Sequence, residues 1–212
     1  SGPVVFSEIL ADFCPAPIVE KENDKFVLYE EEKEDKLTHS FGRLCAFHGQ
    51  MGMFVRALSY MMSHGADGLR QVSEDAVLNA NYIKSSLENV LTSAYSGFCM
   101  HEVLFNDDFL EGSGVETIDF AKALIDEGYH PMTIYFPLVV HGALLVEPTE
   151  TESKHSIDQF IETIKHLASK VSEGEEFFKK APKHTPIRRL DETKAARNPV
   201  LRWKKEDVIA AE

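Results

Sequence analysis

The chain is poor in cysteine, has one tryptophan and no apolar run of membrane-spanning length, and its acids outnumber its cations. Three cysteines in 212 residues, Cys14, Cys45 and Cys99, lie far apart with no C-x-x-C spacing. That excludes a zinc ribbon, a dithiol redox site and a disulfide scaffold. All three are expected to be buried small apolar groups in a reducing, cytoplasmic compartment. The longest apolar stretches, such as Thr133 to Val140, are strand-length against the ~20 residues a bilayer demands. Lys plus Arg is 22 against 35 for Asp plus Glu, a net charge of −13. Nucleic acid and anionic membrane both need clustered cations, so neither is an expected partner. The opening Ser1-Gly2-Pro3-Val4-Val5-Phe6 has no basic region, and no secretory leader is expected.

Motif absences narrow the chemistry. No G-x-G-x-x-G follows a strand, and there is no Walker A loop and no G-x-S-x-G elbow. Gly112-Ser113-Gly114 is a two-glycine turn. His101-Glu102 begins like a zinc-protease helix, but Phe105 stands where the second histidine belongs, and no C-x-x-C follows as in zinc deaminases. The nine histidines are scattered and no metal site is expected.

What is present is a foldable chain. Its residues are 43% hydrophobic and 10% aromatic, enough for a packed core. The length suits one large domain, or one domain with part of another. Residues 1 to 48 read as largely irregular, with a short helix after Ser7 that ends before Pro15 and Pro17, and a strand over Phe26–Tyr29. The charged run Glu30 to Lys36 reads as a solvated loop. Met51, Phe54, Val55, Leu58, Met61 and Met62 recur at helical spacing, a stripe expected to be core, with Gly65 as the stop. A second helix is predicted over residues 67–91, about 37 Å long at 1.5 Å per residue, with Leu69, Val72, Ala76, Ala80, Ile83, Leu87 and Val90 inward.

From residue 98 strands and helices alternate. Strands are predicted at Met100–Phe105, Thr133–Phe136 and Ala143–Glu147. Thr117 is expected to cap a helix that stops at Gly128. A longer helix is predicted from Glu152 to Val171, with Thr149 and Glu152 at capping-box spacing and Ile157, Phe160, Ile161, Ile164, Leu167 and Val171 inward. A short helix follows Gly174, then a basic, proline-marked tail from Pro182 to Trp203. The pattern predicts an α+β (α/β-type) unit, a small sheet covered by helices on one side and preceded by a long linking helix. The expected division is residues 1–65, a linker-like region, and residues 66–212, the main domain.

Two stretches carry candidate chemistry. Cys99-Met100-His101-Glu102 sets two ionisable side chains on alternate faces of a predicted strand. They are either a hydrogen-bonded pair straddling the sheet or ligand contacts. Glu147-Pro148-Thr149-Glu150-Thr151-Glu152-Ser153 turns a strand end into a helix N-terminus, as plain capping or as part of a site.

Read together, several segments resemble one family. They are Gly65-Ala66-Asp67-Gly68-Leu69-Arg70, Val77-Leu78-Asn79-Ala80-Asn81-Tyr82, Met100-His101-Glu102, Asp126-Glu127-Gly128-Tyr129-His130-Pro131, the Glu147–Ser153 stretch, and the tail His184-Thr185-Pro186-Ile187-Arg188-Arg189-Leu190-Asp191-Glu192. In this order they are similar to the P-protein of the glycine cleavage system, glycine dehydrogenase (decarboxylating), and within it to the C-terminal half called subunit 2.

The resemblance implies the small domain of a fold-type-I (aspartate aminotransferase-like) enzyme dependent on pyridoxal 5′-phosphate (PLP). It implies an oxidoreductase that decarboxylates glycine and passes the aminomethyl group to the lipoyl arm of the H-protein, with P-protein subunit 1 and homo- or hetero-oligomers as further partners. In that family the PLP lysine sits in a His-Lys pair ahead of a glycine-rich stretch. This chain has no His-Lys dipeptide; Lys154-His155 and Lys183-His184 are reversed. It is therefore expected to be a C-terminal fragment, inactive alone, in which residues 1–65 are the end of the large domain. No catalytic residue is expected here. His101, Glu102, Tyr135 and Thr149 are the residues expected to face the cofactor cleft. Two other readings are the small domain of another PLP-dependent transaminase-like enzyme, with Arg188 and Arg189 as carboxylate clamps, and a non-catalytic interaction module.

Overall fold

A computed structural model describes residues 4–30 and 39–202, in two compact units, Ser1–Asp67 and Gly68–Glu212. The opening tripeptide, the acidic run from Glu31 to Lys36 and Trp203 lie outside the described residues.

In the first unit, helix α1 (Glu8–Ala11) follows Ser7 and ends before Pro15, as predicted, although Ser7 makes no side-chain cap. Strands β1 (Ile18–Glu22) and β2 (Lys25–Tyr29) pair antiparallel from Ile18↔Tyr29 to Glu22↔Lys25. Asn23 and Asp24 take φ of 45° and 63°, the two-residue turn whose twist matches paired strands. This corrects the irregular reading of residues 1 to 48: the Asn-Asp turn signal makes a hairpin out of a segment too charged to look like a strand.

Helix α2 (Met51–Leu87) is two helical segments meeting at Gly65, whose φ of 64° and ψ of −174° break the ladder where the sequence predicts a stop. The apolar stripe of its first segment is not core. Met51, Phe54, Val55, Leu58, Met61 and Met62 are all exposed, Met62 by 75%, because no described residue of the first unit packs across that face. The cysteine expectation is corrected too: Cys14 and Cys99 are half-buried and Cys45 is exposed, all as free thiols.

The second unit holds the core. Ala80, Ile83 and Leu87 of α2 are buried, while Leu69, Val72, Ala76 and Val90 are half-buried. The sheet consists of β3 (Val103–Phe105), β4 (Thr133–Ile134) and β5 (Leu144–Val146), antiparallel in the order β3-β5-β4. The β3 and β5 strands are shorter than predicted, and β4 stops at Ile134 because Tyr135 adopts a left-handed φ of 59°. Val103, Phe105, Leu144 and Val146 point into a core shared with Phe120 and Leu124 of α3 (Thr117–Asp126), Ile157, Ile161, Ile164 and Leu167 of α4 (Lys154–Lys170), and Phe178 of α5 (Glu175–Lys179). Phe120 makes an edge contact with Phe109 and stacks on Phe178, with centroids 5.1 and 6.1 Å apart. Each such buried side chain contributes about 1.5–3 kcal/mol.

The helix ends differ in detail from the sequence reading. Thr117 is the first residue of α3, buried rather than capping; Glu116 is the cap, and Asp119 Oδ2 accepts its N–H at 3.0 Å. The other end closes on Gly128 (φ 86°): Gly128 N–H reaches the Ile125 carbonyl and Tyr129 N–H that of Leu124, both at 3.0 Å. The tail is tied down where it meets α3. Asp119, 1% exposed, accepts Arg189 Nη1 at 2.6 Å and Lys179 Nζ at 3.1 Å, and Arg189 also donates to the Ala181 and Phe178 carbonyls. Burial pushes the Asp119 carboxyl up, but the Glu116 N–H, Arg189 and Lys179 outweigh it and hold it below the usual carboxylate range. Arg189 is therefore a structural staple. A short helix, α6 (Glu192–Arg197), interrupts the tail beyond it.

Candidate functional site

The motif Val77–Tyr82 works as a clamp. Asn79 Nδ2 donates to the Thr149 carbonyl at 3.1 Å. Asn81 holds Cys99 at both ends, donating to its carbonyl at 2.8 Å and accepting its N–H at 3.0 Å. Tyr82 Oη donates to Asp158 Oδ1 at 2.6 Å, and Lys154 Nζ lies 3.2 Å from the same hydroxyl and 2.7 Å from Asp158 Oδ2. One helical segment thus anchors both candidate stretches, because positions 79, 81 and 82 leave the helix in different directions.

The Glu147–Ser153 turn joins β5 to α4 and borders a cleft of about 420 Å³. Ile83, Val146, Ile157 and Phe160 make its apolar walls, and Glu147 and Glu152 its acidic rim. Here the cap prediction is corrected. Ser153, not Thr149, is the N-cap of α4, accepting Ser156 N–H at 3.1 Å, while Glu152 Oε2 accepts the Ser156 hydroxyl at 2.8 Å. The Thr149 hydroxyl instead lies 2.7 Å from that of Thr151.

His101 and Glu102 precede β3 rather than belonging to it, so the alternation argument for them fails. They line a second cleft, of about 530 Å³, with Lys84, Phe98, Met100 and Phe136. His101 Nε2 stands 3.8 Å from Glu147 Oε1. Lys84 is committed to the backbone, donating to the carbonyls of Tyr95 and Gly97 at 2.8 and 2.6 Å.

Tyr135 lies apart from these, in a third cleft of about 730 Å³ with Asp107, Asp108, Glu111, Glu116 and His141. Its hydroxyl accepts the Ile118 N–H at 3.3 Å. Beside it His141 Nδ1 is 2.9 Å from Asp107 Oδ1, and that hydrogen bond, with the charges of Asp107 and Asp108, raises the imidazole above its ordinary 6.5 against a small desolvation penalty. Buried Thr117 donates to the Gly142 carbonyl at 3.2 Å. A Cβ on Gly142, at φ 54°, would fall 1.9 Å from Asp107 Cγ. The structure brings His101 beside Glu147, two residues from Thr149, and keeps Tyr135 elsewhere. Sequence reasoning missed Asp107, read Gly142 only as bounding a short connection with Pro137, and left His141 among the scattered histidines; 34 residues separate His141 from Asp107, and no local pattern joins them. Among the described residues no cluster of His, Cys, Asp and Glu is arranged to hold a metal ion, and no helix is long and apolar enough to cross a membrane.

A family model described as "Glycine dehydrogenase, C-terminal domain" matches residues 72–187, which lie wholly in the second unit. The chain belongs to this family. Among its relatives, the probable glycine dehydrogenase (decarboxylating) subunit 2 of Caulobacter vibrioides is 62% identical over 206 residues, spanning 96% of this chain and 39% of that protein. The protein of the same name from Kosmotoga olearia is 46% identical over 204 residues, spanning 96% and 41%. The chain thus spans about two fifths of the length of the curated relatives it matches. A crystal structure of glycine decarboxylase (P-protein) of the glycine cleavage system, in inhibitor-bound form, superimposes with a TM-score of 0.57 over 72% of this chain and 35% of that one, at 18% identity. That likeness supports the expected α+β fold of the family domain.

Proposed function

We propose that this chain is the C-terminal portion of a glycine dehydrogenase (decarboxylating) of the glycine cleavage system, and that it performs no chemistry alone. The intact enzyme decarboxylates glycine with PLP as electron sink and hands the aminomethyl group to the lipoyl H-protein, in the cytoplasm and in complex with P-protein subunit 1. The identity to the Caulobacter subunit over nearly the whole chain carries this reading.

The described residues do not fit PLP by themselves. The cofactor needs a lysine free to form an imine and cations or amides around its phosphate. Lys84, the lysine that lines the cleft beside His101, is spent on two carbonyls, and the other two clefts are rimmed by carboxylates that repel a phosphate. No reaction step is therefore assigned to this chain. Its part is to cover a site held on the other portion of the subunit and exclude water from it. His101, Glu102 and Thr149 are the residues proposed to face that site together, and Tyr135 is proposed to face it from its separate cleft.

Two measurements test the reading. Incubation with PLP and borohydride should leave no stoichiometric pyridoxyl-lysine on this chain; a specific, stoichiometric adduct would overturn it. Co-expression with the upstream portion of subunit 2 and with subunit 1 should restore CO2 release from carboxyl-labelled glycine. No release from an assembled, PLP-loaded complex would also sink it.

A further inference from the structure

The tail differs in charge from the body that carries it. Residues 182–202 hold six Lys and Arg against two Asp and Glu, in a chain whose net charge is −13. Arg189 is spent on Asp119, but Arg188, Lys194 and Arg197 are exposed and have no acidic partner among the described residues. Interleaved with them are exposed apolar side chains: Ile187 by 69%, Leu190 by 67% and, past α6, Val200 by 81% and Leu201 by 88%. A single exposed aliphatic residue means little, but several beside unpaired cations on one short segment make a patch.

The segment is laid along α3 by three anchors. Asp126 Oδ1 accepts the N–H groups of Lys183 and His184 at 2.7 and 2.9 Å, Asp119 holds Arg189, and Lys122 Nζ reaches Glu192 at 3.2 Å. Positions 119, 122 and 126 fall on one side of that helix. Asp191 then caps α6 by accepting the Lys194 N–H at 2.9 Å. A patch whose shape is settled in advance loses little conformational entropy when it is covered. The same helix begins among carboxylates. Its cap, Glu116, is exposed, as are Glu111 just ahead of it and Glu175 of α5, whose Oε2 would lie 2.8 Å from a Cβ on Gly114. With 10 residues α3 is about 15 Å long, so an acidic patch and a basic one lie side by side.

A twofold axis pairs a surface with itself, each residue i on j and each j on i, so neighbouring patches of opposite sign meet their opposites in a second copy. We propose that two copies of this chain associate in this way, Arg188 and Arg197 of each facing Glu111 and Glu175 of the other, with Ile187 and Leu190 covered between them. Charge complementarity identifies the occupant. The carboxylates beside the tail, in a chain of net charge −13, repel a polyanion and attract the tail of another copy. The inference is independent of the reading under "Proposed function", since it requires no activity.

Sedimentation equilibrium of this chain over a range of concentrations tests it. The expected result is a dimer whose Kd rises about tenfold or more between ~0.05 M and ~0.5 M salt. R188E/R197E, which reverses the tail, and E111K/E175K, which reverses the body, should each raise Kd by about tenfold or more. An equimolar mixture of the two variants should recover dimers, because each then offers the charge the other needs. All four positions are exposed, so the circular dichroism should be unchanged. Where a reversal alters it, R188Q/R197Q takes its place and should leave an association indifferent to salt. A chain that stays monomeric at every concentration overturns the proposal. So does a dimer indifferent to R188E/R197E, which assigns association to another face, and so does a mixture of the two variants that stays monomeric.

Discussion

The two units spend their apolar residues in opposite ways. Gly68–Glu212 buries a continuous core that runs from Ile83 through Phe105, Phe120 and Leu144 to Phe178. In Ser1–Asp67 only Ala16 and Gly42 are buried among the described residues, and Phe26, Phe41, Phe54, Leu58 and Met62 face outward. Both sequences are hydrophobic enough to fold. The difference is that helical or strand periodicity places an apolar face, and a face stabilises only when another element closes on it. The first unit has a two-stranded hairpin and a helical stripe with no described element of that unit across them; the second has sheet and helices that close on each other.

Core truncation sharpens this contrast most. Phe120→Ala should cost about 3–5 kcal/mol in urea unfolding, whereas Phe54→Ala or Leu58→Ala in the first unit should fall within about 0.5 kcal/mol. Comparable losses at both places would break the comparison. Asp119→Asn should cost about 2–3 kcal/mol, less than a fully buried pair because Arg189 and Lys179 are partly exposed. Because the carboxyl titrates below its ordinary 3.8 when folded, its contribution is complete above that value and fades as pH falls through the lowered one. An acid-unfolding limb shallower in Asp119→Asn than in the wild type is the expected sign, the remainder coming from other lowered carboxyls such as Asp158.

Gly142→Ala should destabilise the second unit by about 1–2 kcal/mol, since the added Cβ meets Asp107 and the backbone is left-handed. A change below about 0.3 kcal/mol would show that Asp107 moves aside freely. The smallest effect is electrostatic. By NMR, His141 should titrate above 6.5 and fall toward it in Asp107→Asn. With the folded value raised, the pairing is complete below 6.5 and lost as pH rises through the higher folded value. An unshifted His141 would remove the hydrogen bond from the account of the loop.

Most of the second unit was legible from its residues. The inward positions of α4 follow the 3.6-residue period from Ile157 to Leu167, and Gly128 ends α3 through a left-handed closure that few other residues adopt. Failures came where one residue decided the outcome against its neighbours. Tyr135 leaves the extended region and ends β4 two residues early, and His101 and Glu102 fall just ahead of β3 instead of within it. The candidate site was legible only in pieces: the Glu147–Ser153 and Asn79–Tyr82 stretches stand out in the sequence, but the hydrogen bonds that tie Asn79 to Thr149 and His141 to Asp107 span 70 and 34 residues.

Period and turn chemistry, written in the order of residues, determined which elements form and where Gly65 breaks the long helix. Tertiary structure alone decided which apolar faces are covered and which side chains meet. Burial is a property of two surfaces brought together, and a chain read one residue at a time specifies only one of them.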